Sequence, residues 1–256
     1  MVVAHGRRSG GAREAHGRRS GGDRARERLT RWRGPLHPGA VHPGSLGLVV
    51  LDHLLVDFIA AVQDSFDRAL LERQAIEERF QVDVFLGDVS FETSYSLPGE
   101  GQPPRVRVDL SIDWPTWSQT AYRSWSIGET PAEMPEAVVE VSMRIQRLAE
   151  APSAERVLSV LPPASPPIGR DPLVRTATTI EEVHADPEAG ETEEASVRWA
   201  VEGSYEGAVR FDEAQLEDPA SLAPLAETLT RWISSTLVRL ADLPLSFHPP
   251  DPADAA

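Results

Sequence analysis

The sequence predicts an α+β fold, an antiparallel sheet of about six strands with a long N-terminal and a C-terminal amphipathic helix packed on one face. Near both ends of the chain, over 48–80 and 218–244, apolar residues recur with a helical period of about 3.6 residues. Between these ends, apolar and polar residues alternate with a period of two, as in a strand with one buried face. Because two helices are too few to cover two separate sheets, one two-layer domain is preferred to two domains.

The first predicted element is a helix over residues 48–80. Its apolar stripe consists of Leu51, Leu54, Leu55, Phe58, Ile59, Val62, Phe66, Leu70 and Ile76. At about 1.5 Å per residue such a helix would be roughly 45 Å long. This is longer than a compact domain needs, so the helix is expected to kink or to project toward a partner.

The central part of the chain predicts an antiparallel meander. Alternating segments occur at 82–86, 89–97, 106–112, 139–145, 173–183 and 197–211. The tripeptide at 86–88 is the predicted turn between the first two strands. In the last strand, Gly203 and Gly207 fall on the inward face, where a missing side chain indicates a bulge, a bend or the close approach of a helix.

Two proline-containing segments mark the second half of the chain. The Pro-rich stretch at 161–172 is interpreted either as a linker between two domains or as a stiff loop that crosses one domain. Farther on, Asp218 is a favourable N-cap and Pro219 a favourable first residue for the last helix, which Pro244 ends. The apolar stripe of this helix is Leu222, Leu225, Leu229, Trp232, Ile233, Leu237 and Leu240.

The N-terminal segment, residues 1–45, differs from the rest of the chain. An identical octet rich in Gly, Arg and Ser occurs at 4–11 and 15–22, and such a composition predicts disorder. Two interpretations stay open: a basic arm for nucleic acid or for the protein's own acidic body, or an extension from a start codon assigned too early. The predicted domain covers residues 46–248, and a disordered tail is expected at 249–256.

Composition excludes several kinds of chemistry. All 25 basic residues are arginine, and the chain contains neither lysine nor cysteine. Schiff-base lysines, P-loop lysines, thiol nucleophiles, thiolate metal ligands and disulfides are therefore excluded. The absence of cysteine, together with an N-terminus that has no apolar leader, favours a cytoplasmic location.

Charge is divided unequally along the chain. Residues 1–34 contain ten arginines against three acidic residues, whereas the remainder contains 15 arginines against 37 acidic residues. An acidic body of this size repels nucleic acid and anionic membranes, so nucleic acid could be bound only through residues 1–34. A membrane span near the first helix is rejected because Asp52, His53 and Asp57 would be costly in hydrocarbon. The expected partner is another protein or a second copy of the chain.

No recognised catalytic motif is present. His53, His184 and His248 lack the spacing of metal ligands, so no metal site and no cofactor are predicted. Ser204 stands one position too early between Gly203 and Gly207 for a nucleophile elbow, and it falls within a predicted strand. No catalytic residue is therefore assigned.

The segment over residues 109–127 is the candidate binding site, because it contains three of the six tryptophans beside two aspartates. Its candidate ligand- or partner-binding residues are Asp109, Asp113, Trp114, Trp117, Gln119, Tyr122, Arg123 and Trp125. Indole rings beside carboxylates and amides are typical of carbohydrate recognition. However, Asp109 and Asp113 would stand about 13 Å apart along one strand, too far for the carboxyl pair of a glycosidase.

Three interpretations of this segment stay open. The tryptophans cap one end of the sheet, or they contact a partner protein, or they bind a sugar or another small ligand. We predict a non-catalytic binding or assembly protein that interacts through the first helix and this segment. The alternative is a carboxylate-dependent hydrolase or a protein that binds a carbohydrate or another small ligand through the same segment. Convergence of Asp109, Asp113, Gln119, Tyr122 and Arg123 in one pocket would favour the enzyme.

Overall fold

The computed structural model describes residues 52–70, 76–85, 87–97, 103–184 and 197–249, with the backbone alone for 76–85. All of these residues belong to one compact unit. The predictions for residues 1–45 and for the tail beyond Pro249 concern residues outside this description.

The described chain contains five α-helices and seven strands. In order they are α1 (His53–Leu70), β1 (Ile76–Phe85), β2 (Asp88–Ser96), β3 (Val106–Trp114), α2 (Thr116–Ser126), β4 (Glu136–Leu148), α3 (Ala154–Leu158), β5 (Ala164–Ile168), β6 (Asp171–His184), β7 (Val197–Arg210), α4 (Glu213–Glu217) and α5 (Ala223–Ala241).

One antiparallel sheet holds all seven strands in the order β1-β2-β3-β4-β7-β6-β5. The first four strands form the predicted meander. The next strand in the sheet is β7, which pairs with β4 and places the hairpin of β5 and β6 at the far edge. The predicted α+β class is confirmed, and β5 makes the sheet seven strands wide.

Helices α1 and α5 cover the inward face of the sheet. The apolar stripe of α1, including Phe58, Val62 and Phe66, is buried in the same core as Leu229 and Ile233 of α5. A hydrogen bond of 2.7 Å between the hydroxyls of Ser65 and Thr230 joins the two helices. Because each fully buried large apolar side chain contributes about 1.5–3 kcal/mol, this layer supplies the main stabilisation of the fold.

The predicted length of the first helix is wrong. The described helix ends at Leu70, so its 18 residues span about 27 Å. Ile76 fits the helical stripe, but it begins β1, which pairs with β2 through Phe85. From Phe80 onward the apolar residues alternate, as in a strand. The backbone hydrogen bonds between the ten-residue strand β1 and its partner β2 override the weak helical pattern that Ile76 continues.

The Pro-rich stretch, interpreted as a linker or as a stiff loop that crosses one domain, instead contains a strand. Residues Ala164–Ile168 form β5, which pairs with β6. Pro166 and Pro167 have no backbone N–H, and a strand at the edge of a sheet is the place where this loss is tolerated. The register shift between Ala164 and Pro167 accommodates the two rings.

The last helix begins as predicted at its cap but differs in its first turn. The amide of Ala220 donates a hydrogen bond of 3.0 Å to Asp218 Oδ1, so Asp218 is an N-cap. The residues that follow, Pro219–Leu222, form a 3₁₀ turn, and the α-helix starts at Ala223.

The inward glycines of β7 allow close approach by β6 and by the segment after α3, and not by a helix, which was one of the predicted alternatives. A Cβ atom at Gly207 would lie 2.8 Å from Leu173 Cδ2 and 3.1 Å from both Leu173 Cα and the carbonyl oxygen of Pro172. At Gly203 the nearest atoms all belong to the side chain of Leu161, with Cδ1 at 2.8 Å.

We expect Gly207→Ala to lower the free energy of unfolding by about 1–3 kcal/mol, because the added methyl meets backbone atoms that cannot rotate away. Gly203→Ala should cost less, since the isobutyl group of Leu161 can change rotamer. Chemical denaturation of both variants measures the difference. Equal costs, or a larger cost at Gly203, would contradict this explanation.

Candidate functional site

Strand β3 sends its side chains to two sides of the sheet. Asp109 and Asp113 lie on the face of the sheet that is opposite to α1 and α5. We call this the polar face; it is formed by the outward residues of β2, β3, β4 and β7. The carboxylate of Asp109 accepts bonds of 2.6 and 2.9 Å from Arg107 Nη2 and Nε, and one of 2.5 Å from Ser94 Oγ. Trp114, at the end of β3, faces inward and is fully buried.

A buried carboxylate joins the Trp-rich segment to the start of α1. Asp52 immediately precedes the helix and is 8% exposed. It accepts a bond of 2.9 Å from Trp114 Nε1 at Oδ2 and one of 3.0 Å from Arg123 Nε at Oδ1. Two donors therefore satisfy a charge that would be costly to bury alone.

Helix α2, which the sequence did not reveal, lies within the Trp-rich segment and is tied to the domain by side chains. Buried Gln119 donates bonds of 2.6 Å to the carbonyl of Gly87 and 3.1 Å to that of Trp114, and it accepts one of 3.1 Å from Arg123 Nη2. Ser118 Oγ donates to the carbonyl of Glu136 at 2.6 Å. The bonds to Gly87 and Glu136 join residues that are 32 and 18 positions apart, so no local pattern could have predicted them.

The aromatic residues of α2 differ in their exposure. The rings of Tyr122 and Trp125 stack with centroids 6.2 Å apart and pack, partly buried, against the core. Burial, followed by the nearby Asp52 carboxylate, raises the pKa of the Tyr122 hydroxyl. Trp117 is 42% exposed, and Ile127, directly after the helix, is 73% exposed.

The eight predicted site residues thus fall into two groups. Asp109 and Asp113 stand on the polar face of the sheet. The other six, from Trp114 to Trp125, belong to β3's inward end and to α2. The two aspartates are therefore not grouped with Gln119 and Arg123. Arg123 is bonded to Asp52 and to Gln119 on the inward side of the sheet.

The polar face carries an acidic row that sequence reasoning missed. Glu140 of β4 stands directly opposite Glu206 of β7, and on its other side Ser111 separates it from Glu92. Partial burial, together with the charges of Asp113, Glu206 and Glu92, raises the pKa of the Glu140 carboxyl. Only strand register reveals this row, because its members are far apart in the chain.

Two further patterns are relevant to the described residues, namely a cluster of metal ligands and a helix that spans a bilayer. There, no three His, Asp or Glu side chains lie together as ligands for a metal ion. Within the same residues, no helix is both long and apolar enough to cross a bilayer.

No family model, curated protein or solved structure matches this chain. An inference about function therefore rests on the residues themselves.

We expect Asp52→Ala to lower the free energy of unfolding by about 2 kcal/mol, because the indole N–H of Trp114 would stay buried without an acceptor. Asp64→Ala, at an exposed position on the same helix, is the control and should change it by less than about 0.5 kcal/mol. Denaturant titration measures both. If Asp52→Ala and Asp64→Ala changed the free energy of unfolding equally, the hydrogen bond from Trp114 to Asp52 would not contribute to stability as expected.

Replacing Glu140 should change the pH dependence of stability. The folded chain holds the Glu140 proton more tightly than the unfolded chain does, so this contribution is present at low pH and is lost as pH rises through the raised pKa. Glu140→Gln should therefore gain stability relative to wild type as pH increases from about 4 to about 7. The gain should not exceed about 0.5 kcal/mol, because the side chain is only partly buried and its solvent-exposed part is screened.

Thermal melts across this pH range test the expectation, with Glu150→Gln, an exposed residue outside the sheet, as the control. A difference between Glu140→Gln and wild type that stays constant or shrinks as pH rises would contradict it.

Proposed function

We propose that this chain is a non-catalytic binding protein that docks on another protein through the exposed apolar end of its Trp-rich segment. The observation that carries the proposal is the exposure of Trp117 on α2 and of Ile127 directly after it, at 42% and 73%, while polar side chains of α2 are bonded to the domain. Large apolar anchors of this kind dominate the binding energy of protein interfaces.

The rigidity of α2 supports this role. Ser118, Gln119 and Arg123 fix the helix through bonds to three other parts of the domain. A helix that is already ordered loses little conformational entropy when a partner covers its exposed side. The surrounding domain thus presents Trp117 in a defined position.

The first helix offers less to a partner than its sequence suggested. Its apolar stripe is buried against the sheet, and Val56, at 41% exposure, is its large apolar residue on the outside. The surface proposed for docking is therefore restricted to α2 and Ile127.

Charge favours a partner with a basic surface over a second copy of the chain. The whole chain carries a formal net charge of −15 at pH 7, so two copies repel each other. A partner with an apolar pocket surrounded by basic residues would complement both the anchors and the field of this protein.

The hydrolase alternative has no comparable support. It requires Asp109 and Asp113 to meet Gln119 and Arg123, yet the aspartates stand on the polar face, where Asp109 is bonded to Arg107. The carbohydrate alternative requires free amide and guanidinium groups, yet Gln119 and Arg123 bond to each other and to buried acceptors.

The experiment compares partner capture by the full chain and by its Trp117→Ser/Ile127→Ser variant in extracts of the source cells, with quantitative mass spectrometry. Loss of a large anchor costs about 2 kcal/mol or more of binding free energy, so recovery of a specific partner should fall by about tenfold or more. Val174→Ser is the matched control, because Val174 is 53% exposed on β6, and it should leave recovery unchanged.

A photo-crosslinking residue at position 117 should link directly to the same partner. Equal recovery with both variants would contradict the proposed surface. Sedimentation that shows a dimer of wild type but not of Trp117→Ser/Ile127→Ser would contradict the assignment to another protein. Turnover of any substrate that is lost on Asp109→Asn or Asp113→Asn would overturn the non-catalytic role.

A further inference from the structure

A cleft lies where α5 passes the edge strand β5, away from the Trp-rich segment. Its volume is about 580 Å³, and its walls are Pro166, Thr228, Arg231, Trp232, Ser235 and Arg239. Sites for small molecules have volumes of this order.

One face of α5 supplies most of these walls. Thr228, Trp232, Ser235 and Arg239 recur at intervals of three and four residues, so they form one stripe along the helix. Arg231 lies beside this stripe and is two turns, about 12 Å along the axis, from Arg239. Pro166 of β5 closes the cleft from the opposite side.

The charge of the cleft is opposite to that of the protein. Arg231 forms an ion pair with Glu227 on its own helix. The guanidinium of Arg239 contacts the carbonyl of Ser235 at 3.4 Å and Thr236 Oγ1 at 3.2 Å, and no carboxylate in the described chain lies within ion-pair distance. An arginine without a counterion in an acidic protein is a place where an anion gains binding energy.

The floor of the cleft is aromatic. Trp232 is 6% exposed and packs edge-to-face on Tyr205, with ring centroids 5.0 Å apart. Its indole N–H is buried and has no hydrogen-bond partner in the part of the chain that the structure describes. Unpartnered buried groups of this kind are rare in folded proteins.

We propose that this cleft binds a small organic oxyanion, a phosphate or carboxylate group attached to a flat apolar body. Arg239 holds the anionic group, and Arg231 and Ser235 extend the polar wall. The exposed part of Trp232 and the pyrrolidine of Pro166 contact the flat body. Nucleic acid and anionic membranes are disfavoured as occupants, because the field of the acidic chain repels such extended polyanions.

Calorimetric titration of the full chain with phenyl phosphate, benzoate and inorganic phosphate at about 50 mM salt tests the proposal. Phenyl phosphate and benzoate represent the two sources of the oxyanion. We expect saturable binding of at least one of them at one site, about fivefold or more tighter than inorganic phosphate. Arg239→Gln should weaken it by about tenfold, and higher salt should weaken it as well.

Arg68→Gln is the matched control, because Arg68 is an exposed arginine on α1, and it should leave the affinity unchanged. Pro166→Ser should weaken the binding of the aryl probes but not of inorganic phosphate. Melting temperatures identify any variant that has lost its fold, in which case Arg231→Gln replaces Arg239→Gln.

Absence of saturable binding, or equal affinities of Arg239→Gln and Arg68→Gln, would overturn the assignment of the cleft. Equal affinities for phenyl phosphate, benzoate and inorganic phosphate would overturn the role of the flat body. Because these titrations contain no partner protein, their failure leaves the docking role of Trp117 unaffected.

Discussion

The packing of α1 and α5 against one face of the seven-stranded sheet determines what every strand residue can do. Along β3, β4 and β7, the side chains that point inward are buried in the core, for example Val141, Met143 and Tyr205. Their neighbours point to the polar face and are free to carry charge. Function on the sheet is therefore confined to that face, and all other candidates must lie on helices, turns or edges.

The residues of the Trp-rich segment have two different roles: some hold the segment in the domain, and others remain exposed on its surface. Trp114 completes the core and Gln119 and Arg123 bind the helix to Asp52 and Gly87, so these residues position α2. Trp117 and Ile127 have no such role and remain exposed. A segment that is held by polar bonds and leaves two large apolar side chains in solvent fits the preformed contact surface that we propose.

Electrostatics separates two regions of the domain. On the polar face, Glu140 and Glu206 stand opposite each other, an arrangement that costs stability and strengthens the negative field. On α5, Arg239 lies in a cleft without a carboxylate partner in the described chain. The sign of the local charge therefore differs between these two parts of the domain, being negative on the polar face and positive at the cleft.

The sequence by itself determined the α+β class, the buried stripes of α1 and α5 and most strands, because periodicity reports which face of an element is apolar. At Gly207 it left a bulge, a bend or the close approach of a helix open, whereas the element that approaches there is the strand β6. It could not determine that Ile76 joins a strand, that Pro166 lies in an edge strand, or that α2 exists, since these outcomes depend on partners distant in the chain. The separation of Asp109 from Arg123, the row around Glu140 and the cleft at Arg239 were decided by strand register and helix packing, which bring together residues that no local pattern relates.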